Sequence, residues 1–212
     1  METQMARTDS AREFWHQVLA AGGFTAVPRW VAAGPAPGPG TGTYEVTVAD
    51  ASAKALRRLS EESGVPPGAV VLAAHARVLA VLSGEDEAVT GCVPAPGARP
   101  LPCRLAADGV RTWRSLVLDA HRAVGALLEH GDFPVERLAR EPGAAEPLYE
   151  VEFDAFGSDG DVVGGTVLRL SVDGADGADG TDGAVVLRLR YRTDVLDEEA
   201  AGRIAGYHLA AL

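Results

Sequence analysis

The chain has 212 residues, and 47% of them are hydrophobic, which is enough apolar material to bury the core of one sizeable domain. Its 19 basic and 30 acidic residues give a formal net charge of -11. A surface this acidic repels nucleic acid phosphates and anionic membranes, so we expect neither as a partner. No apolar run approaches the roughly 20 residues that span a bilayer. The first 15 residues lack the apolar stretch of a secretory signal, and we expect a cytoplasmic protein.

The first third of the chain predicts a helix, a loop and a strand. A helix over residues 10–20, with Asp9 or Ser10 as its cap, follows from apolar residues at helical spacing: Phe14, Trp15, Val18 and Leu19. The Pro/Gly-rich segment 32–42 has no periodicity and predicts a loop. Alternation of apolar with small or polar residues then predicts a half-buried strand through Tyr44, Val46 and Val48.

Two further helices and a strand follow. Asp50 or Ser52 is predicted to cap a helix that ends at Gly64 and turns three residues inward: Ala55, Leu56 and Leu59. Pro66-Pro67 opens the next helix, which is apolar along Val70, Val71, Ala74, Val78 and Leu82. The run AVTGCV at 88–93 predicts a buried strand.

The second half predicts two capped helices around a group of strands. Thr112 caps the longest helix, which ends at Gly131, and Pro134 starts a short one. Three strands are predicted at 148–156, 166–172 and 184–192, with a Gly/Asp-rich hairpin loop at 173–183. Asp197 caps a closing helix whose inward residues are Ala201, Ile204, Ala205 and Leu209. The chain stops inside this helical pattern, so we expect it to be an excised piece of a longer protein.

This order of elements predicts an α/β sandwich in which helices cover a mixed sheet. Strand 148–156 carries acidic residues on one face, and strand 184–192 carries basic ones: Glu150, Glu152 and Asp154 against Arg188, Arg190 and Arg192. Arg169 lies on the polar face of the strand between them. Because opposite charges on paired strands are favourable, we predict that the acidic and basic strands lie close together with their charges facing outward.

The five histidines form no catalytic motif in the sequence. His75 is predicted to be a packing residue, His16 and His121 to face solvent, and His130 to lie at a helix end, where a cationic ring interacts favourably with the helix dipole. None has a nucleophile and an acid at motif spacing. The chain has no GxSxG, Walker or GxGxxG motif, so acyl hydrolysis, NTP hydrolysis and dinucleotide binding are unsupported. No catalytic, cofactor-binding or metal-binding residue is predicted, and no cofactor.

Two other patterns are read as structural. Cys92 and Cys103 are too far apart for a CxxC motif, and we expect reduced thiols. Four aspartates recur every three residues in the Gly/Asp-rich loop: Asp173, Asp176, Asp179 and Asp182. Their spacing matches neither the EF-hand loop nor the nonapeptide β-roll repeat, so a solvated hairpin is preferred to a calcium site.

Four segments, in order, resemble the C-terminal lobe of nonribosomal peptide synthetase condensation domains. They are FWHQVLAAGG, LAAHARVLAVLSGEDEAVTGCV, HGDFPVERLAREPGAAEPLYEVEF and YRTDVLDEEAAGRIAGYHLAAL. The last includes His208, at a position that resembles a family position without a catalytic role. The resemblance implies a chloramphenicol-acetyltransferase-like fold, here a two-layer sandwich in which residues 1–212 form a partial condensation domain.

Two departures from the family bear on activity. The family's HHxxxDG motif, whose second histidine acts on the acceptor amine, is not in this sequence, where no two histidines are adjacent. A family segment near the substrate tunnel is also shortened, and Leu101, Pro102, Cys103 and Arg104 match only its tail.

The resemblance therefore implies a noncatalytic remnant that acts as a structural or interaction module. Its expected partners are an adenylation domain, in cis after Leu212, and a carrier protein. Two alternatives remain open: half of a split condensation acyltransferase that another polypeptide completes, or a module that binds an acyl or peptidyl group.

Overall fold

A computed structural model of the chain describes residues 2–20, 24–31, 38–135, 138, 148–158, 160–162, 164–175 and 183–212. The helices are α1 Glu2–Ala20, α2 Asp50–Ser63, α3 Pro67–Ser83, α4 Trp113–His130 and α5 Glu198–Ala211. The strands are β1 Thr41–Thr47, β2 Glu87–Val93, β3 Leu101–Ala106, β4 Val151–Asp154, β5 Leu168–Asp173 and β6 Val186–Arg192.

The six strands form one mixed sheet in the order β1-β6-β5-β4-β2-β3. β4 pairs in parallel with both β2 and β5, and the other three pairs are antiparallel. Helices cover one face of this sheet, so the predicted α/β class is confirmed. β1 and β3 are the two edge strands.

α3 is the central helix of the covering layer. It packs on α2, α4, α5 and β2, and it is buried on nearly all sides, as expected of a helix that is apolar all round. The core between the helices and the sheet includes Phe153 and Leu170, both about 1% exposed or less. Trp15 of α1 is fully buried and donates its Nε1 hydrogen to the carbonyl oxygen of His130, which ties α1 to the end of α4.

The helix caps follow the sequence in two of four cases. The first helix was predicted to start at residue 10, but α1 begins at Glu2 and runs through Asp9 and Ser10, so neither residue caps it. Thr112 accepts a hydrogen bond from the backbone N–H of Ser115, and Asp197 accepts one from Ala200, so both predicted caps are confirmed. The prediction for α2 is wrong, because its N-cap is Ala49 and neither Asp50 nor Ser52 caps it by a side chain. Its inward face was predicted correctly for Leu56 but not for Ala55. Ala53, Leu56 and Ser60 are buried, Leu59 is half-buried and Ala55 is exposed.

β3 was not predicted as a strand. The segment Leu101–Ala106 pairs antiparallel with β2 and forms one edge of the sheet, with Pro102 opposite Gly91. An edge strand tolerates proline because one side of its backbone needs no partner in the sheet.

The predicted arrangement of charged strands is confirmed in part. The acidic β4 and the basic β6 lie in one sheet, but β5 separates them. The prediction that the charges face outward is wrong for β4, where Glu152 and Asp154 are 3% and 0% exposed. Residues 24–31 help to cover this face, because the Glu150 carboxylate accepts from the N–H of Val27 and pairs with Arg29 at 2.7 Å. Glu150 is also buried.

The predicted loops fall largely outside the described residues. Residues 32–37 of the Pro/Gly-rich loop and 176–182 of the Gly/Asp-rich loop are not described, so their predictions remain untested. The described flanks show that β1 already begins at Thr41 and that β5 extends to Asp173. Of the short helix after Pro134, only residues 135 and 138 are described, both in helical conformation.

Among the described residues, no single helix has the length and apolar character needed to cross a membrane. Only α2 and α3 taken together, bent by 110°, meet that criterion of length and composition.

Candidate functional site

The structure brings two of the five histidines together in the core. His75 of α3 and His208 of α5 are 0% and 1% exposed, and their rings lie edge to edge, with centroids 5.3 Å apart. The His75 ring also stacks on Phe153 of β4 at 5.4 Å. The prediction that His75 is a packing residue is confirmed. His16 and His121 are exposed, as expected, and His130 ends α4, where its ring lies 4.5 Å from that of Phe14.

The hydrogen bonds of this pair fix the proton positions. His208 Nδ1 lies 2.8 Å from the carbonyl oxygen of Ile204, which can only accept, so Nδ1 carries the proton and Nε2 is an acceptor. His75 Nδ1 lies 3.0 Å from His208 Nε2 and therefore donates to it. This leaves His75 Nε2 unprotonated, 3.4 Å from the hydroxyl oxygen of Thr90. That hydroxyl donates instead to the carbonyl of Val151 at 3.0 Å.

Burial keeps both rings neutral. It lowers the pKa of His75 well below its usual value, and a charge on His208 would lower it further. Burial likewise lowers the pKa of His208 to about 4, although the hydrogen bond to Ile204 opposes this effect. A general base must reach the proton it removes. Neither ring is open to solvent, so this pair is a structural element of the α3–α5 contact.

The two cysteines lie on neighbouring strands near this pair. Cys103 of β3 is directly opposite Thr90 of β2, and Cys92 of β2 lies diagonally across from Cys103. Both thiols are buried and free. A hydrogen bond with Cys103, together with burial, raises the pKa of Cys92 well above its usual value. A thiol held protonated in this way is a poor nucleophile.

A buried ion cluster lies on the opposite face of the sheet. Arg169 of β5 donates to Glu152 at 2.9 Å and to Asp154 at 2.8 Å, both on the neighbouring strand β4. The side chains of Ser158 and Thr166 also donate to these carboxylates, as does the backbone N–H of Phe156. Arg169 is only 8% exposed, so this cluster fixes the segment after β4 over the sheet.

An apolar surface groove of about 160 Å³ lies between the helices. Trp113 at the start of α4 is 42% exposed at this groove. The other lining residues are aliphatic: Ala55, Leu56, Leu59, Val70, Ala74, Ala211 and Leu212. The sequence predicted that Ala55 faces inward, whereas the structure places it at the surface of this groove.

Within the part of the chain that the structure describes, no group of three or more His, Cys, Asp or Glu side chains could hold a metal ion. The sequence could not have predicted the His75–His208 contact, because the two residues are 133 positions apart. Only their places on apolar helix faces gave a signal that both would be buried.

The topology and the following likenesses define the class of fold. The first condensation domain of the calcium-dependent antibiotic synthetase superposes with a TM-score of 0.71 at 19% identity, over 97% of this chain and 53% of that one. The X-domain from teicoplanin biosynthesis, in its complex with OxyB, gives a TM-score of 0.79 at 21% identity, over 97% and 52%. The fold is therefore that of about half of a condensation domain, of the chloramphenicol-acetyltransferase-like class.

A sequence relative points in the same direction. The AMB antimetabolite synthetase AmbE of Pseudomonas aeruginosa is 32% identical over 156 residues. The match takes in 66% of this chain and 7% of AmbE, so the chain corresponds to a small part of that synthetase and to about half of the solved domains. No family model matches the chain.

Proposed function

We propose that this chain serves nonribosomal peptide assembly as the C-terminal lobe of a condensation domain that does not catalyse condensation by itself. In this proposal it is a structural and interaction module for an adjacent adenylation domain or for a carrier protein, and it works in the cytoplasm. The observation that carries the proposal is the fold of about half a condensation domain, in a 212-residue sequence without HHxxxDG.

The two histidines that meet in space support this proposal. General base catalysis on an acceptor amine needs an imidazole within hydrogen-bonding reach of the amine. The His75–His208 pair is closed off by the core, and its hydrogen bonds are made within the chain. This pair therefore offers no substitute for the missing motif.

A domain of similar fold supports the role in protein binding. The X-domain from teicoplanin biosynthesis forms a complex with another protein, OxyB. AmbE, in turn, is a synthetase of which this chain matches 7%, so the similar segment there belongs to a much longer protein. Binding a neighbouring domain is a role that such a lobe can fill without its own chemistry.

We place the contact with the adenylation domain at the apolar groove around Trp113. Tryptophan is one of the residue types most enriched among the few positions that carry most of the binding energy in protein interfaces. The groove also includes Ala211 and Leu212, so it adjoins the C-terminal helix, after which the adenylation domain is expected.

The test is to express the adenylation protein with and without this chain and to measure its soluble yield, its adenylation activity and its recognition of the carrier protein. We expect at least one of the three to fall several-fold without the chain. Trp113→Ser should reproduce that loss, whereas Val110→Ser, at a residue that is 93% exposed outside the groove, should not. If all three properties are unchanged without the chain, the proposal is wrong. Equal behaviour of the two variants would place the contact elsewhere.

A further inference from the structure

The free edge of β1 has features that suit pairing with another strand. β1 is hydrogen-bonded on one side only, to β6, and no other described segment pairs with it. Thr41, Thr43, Glu45 and Thr47 are all exposed. Sheet edges are usually protected by charged side chains, above all lysine, by proline or by a bulge. This seven-residue strand contains neither lysine nor proline, and its one charged residue is Glu45.

The hydrogen bonds at the two ends of β1 show which backbone groups are free. The N–H of Val48 donates to Val185, and the N–H of Thr193 donates to Gly40. In an antiparallel ladder these bonded pairs recur at every second residue, so Gly42, Tyr44 and Val46 also bond to β6. The N–H and C=O groups of the four exposed residues therefore point away from the sheet.

We propose that this edge pairs with the same edge of a second copy of the chain, in an antiparallel ladder with its twofold axis at Tyr44. In this register Thr41 lies opposite Thr47 of the second copy, and Thr43 lies opposite Glu45. All four outward-facing residues then form bonded pairs, with two hydrogen bonds in each pair. Any shift by two residues leaves at least one of them without a partner. The two sheets join into one.

Side chains on the polar face of this ladder are compatible. Threonine meets threonine in the outer pairs and glutamate in the inner ones, and no like charges are directly opposite. Glu45 already pairs with Arg188 of its own copy. Arg190 lies directly beside Thr43. Glu45 therefore has Arg188 of its own copy on one side and Thr43 of the second copy on the other, and Arg190 of the second copy lies one strand beyond that threonine.

Side chains on the other face also fit the register. Tyr44 meets Tyr44 of the second copy at the axis, and Val46 lies opposite Gly42. The ring of Tyr191 lies over Gly42, where an added Cβ would be 2.4 Å from Tyr191 Cζ. Val46 therefore meets an aromatic ring instead of an empty position.

Charge favours this edge as the place where two acidic chains can meet. The chain has a net charge of -11, which opposes self-association over most of its surface. Next to β1, however, β6 carries Arg188, Arg190 and Arg192 on the polar face. These arginines pair with carboxylates, namely Glu45, Asp161, Asp173 and Asp194. The edge is therefore close to charge balance, and copies repel each other less here than the net charge of the chain would imply.

The first test is the oligomeric state of the whole chain by sedimentation equilibrium. We expect a reversible dimer of about twice the 22.0 kDa chain mass. Thr43→Pro removes an outward N–H and leaves the hydrogen bonds to β6 intact. Each copy loses this hydrogen bond, so two are lost per dimer, and the dissociation constant should rise about a hundredfold. Thr43→Ser keeps the N–H and should leave the dissociation constant within a few-fold. A wild-type chain that stays monomeric at all concentrations, or equal association of both variants, overturns the proposal.

The second test is a crosslink at the axis. Directly opposed residues in a non-hydrogen-bonded antiparallel pair have Cα atoms about 4.5 Å apart, within the range of a disulfide. Tyr44→Cys should therefore give a covalent dimer on mild oxidation, whereas Val46→Cys, which lies opposite Gly42, should not. The native Cys92 and Cys103 are buried and do not interfere. Equal crosslinking of the two variants would contradict the register.

Amide hydrogen exchange on the unmodified chain tests the proposal without any substitution, so its result does not depend on whether a variant folds. At high concentration we expect protection of the amides of Thr41, Thr43, Glu45 and Thr47, which is lost on dilution. Gly42, Tyr44 and Val46 bond to β6 and should be protected at both concentrations. Outward amides that exchange rapidly at every concentration would overturn the proposal.

Discussion

At the scale of single residues, the two buried histidines make the stability of the chain depend on pH. His208 has a pKa of about 4 in the folded chain against an ordinary 6.5, so the unfolded chain takes up the proton first. The stabilisation is complete above pH 6.5 and is lost as the pH falls toward 4. Over that range His208 removes about 3 kcal/mol from the free energy of unfolding. His75 acts in the same direction.

His208→Gln tests this effect directly. The variant should lose less stability than the wild type between pH 6.5 and 4, as measured by urea unfolding at several pH values. His121→Gln is the matched control, because His121 is exposed on α4 and its loss should leave the pH dependence unchanged. Parallel curves for wild type and His208→Gln would show that the buried imidazole does not govern the acid response.

Arg169 is the second residue with a large expected effect. Removing one partner of a buried ion pair leaves uncompensated charge in the core, which typically costs about 3–5 kcal/mol. We therefore expect Arg169→Ala to lower the free energy of unfolding by about that amount in denaturant titrations. Arg58→Ala, which breaks an exposed pair with Glu62, should cost less than about 1 kcal/mol. Similar costs for both would mean that the buried cluster does not hold the segment after β4.

At the scale of elements, the capping residues decide where helices start. Asp197 accepts from the N–H of Ala200, and the carboxylate also lies at the positive end of the α5 dipole. Asp197→Ala should destabilise the chain by about 1–2 kcal/mol, whereas Asp197→Asn keeps the acceptor and should cost less. Thermal unfolding of the two variants provides the comparison. A loss in Asp197→Asn as large as in Asp197→Ala would contradict a role through hydrogen bonding.

The same elements show what the sequence could predict. Long helices with periodic apolar residues and side-chain caps, such as α4 and α5, were located from sequence alone because their signals are local. β3 was missed because Pro102 breaks the alternation that indicates a strand. The burial of Glu152 and Asp154 was also missed, because it depends on Arg169 and on covering segments that only the tertiary structure brings together.

For the molecule as a whole, the order of elements was sufficient to predict an α/β sheet covered by helices, and four sequence segments pointed to the condensation fold. The strand order could not be predicted, since β5 lies between the acidic and basic strands through contacts distant in sequence. The contact between His75 and His208 could not be predicted from the sequence either, although it bears most directly on function. Both rings are buried and bonded to each other, so two residues that could act as general bases serve as a packing contact.

The most direct measurement is a condensation assay on the purified chain. Donor and acceptor carrier proteins loaded with aminoacyl groups are mixed with it, and the carriers are analysed by intact-protein mass spectrometry. We predict that the acceptor carrier gains no dipeptidyl group above the rate without the chain, because the sequence has no HHxxxDG motif and the paired histidines His75 and His208 are closed off by the core. Formation of the dipeptidyl product by this chain alone would contradict the proposed function.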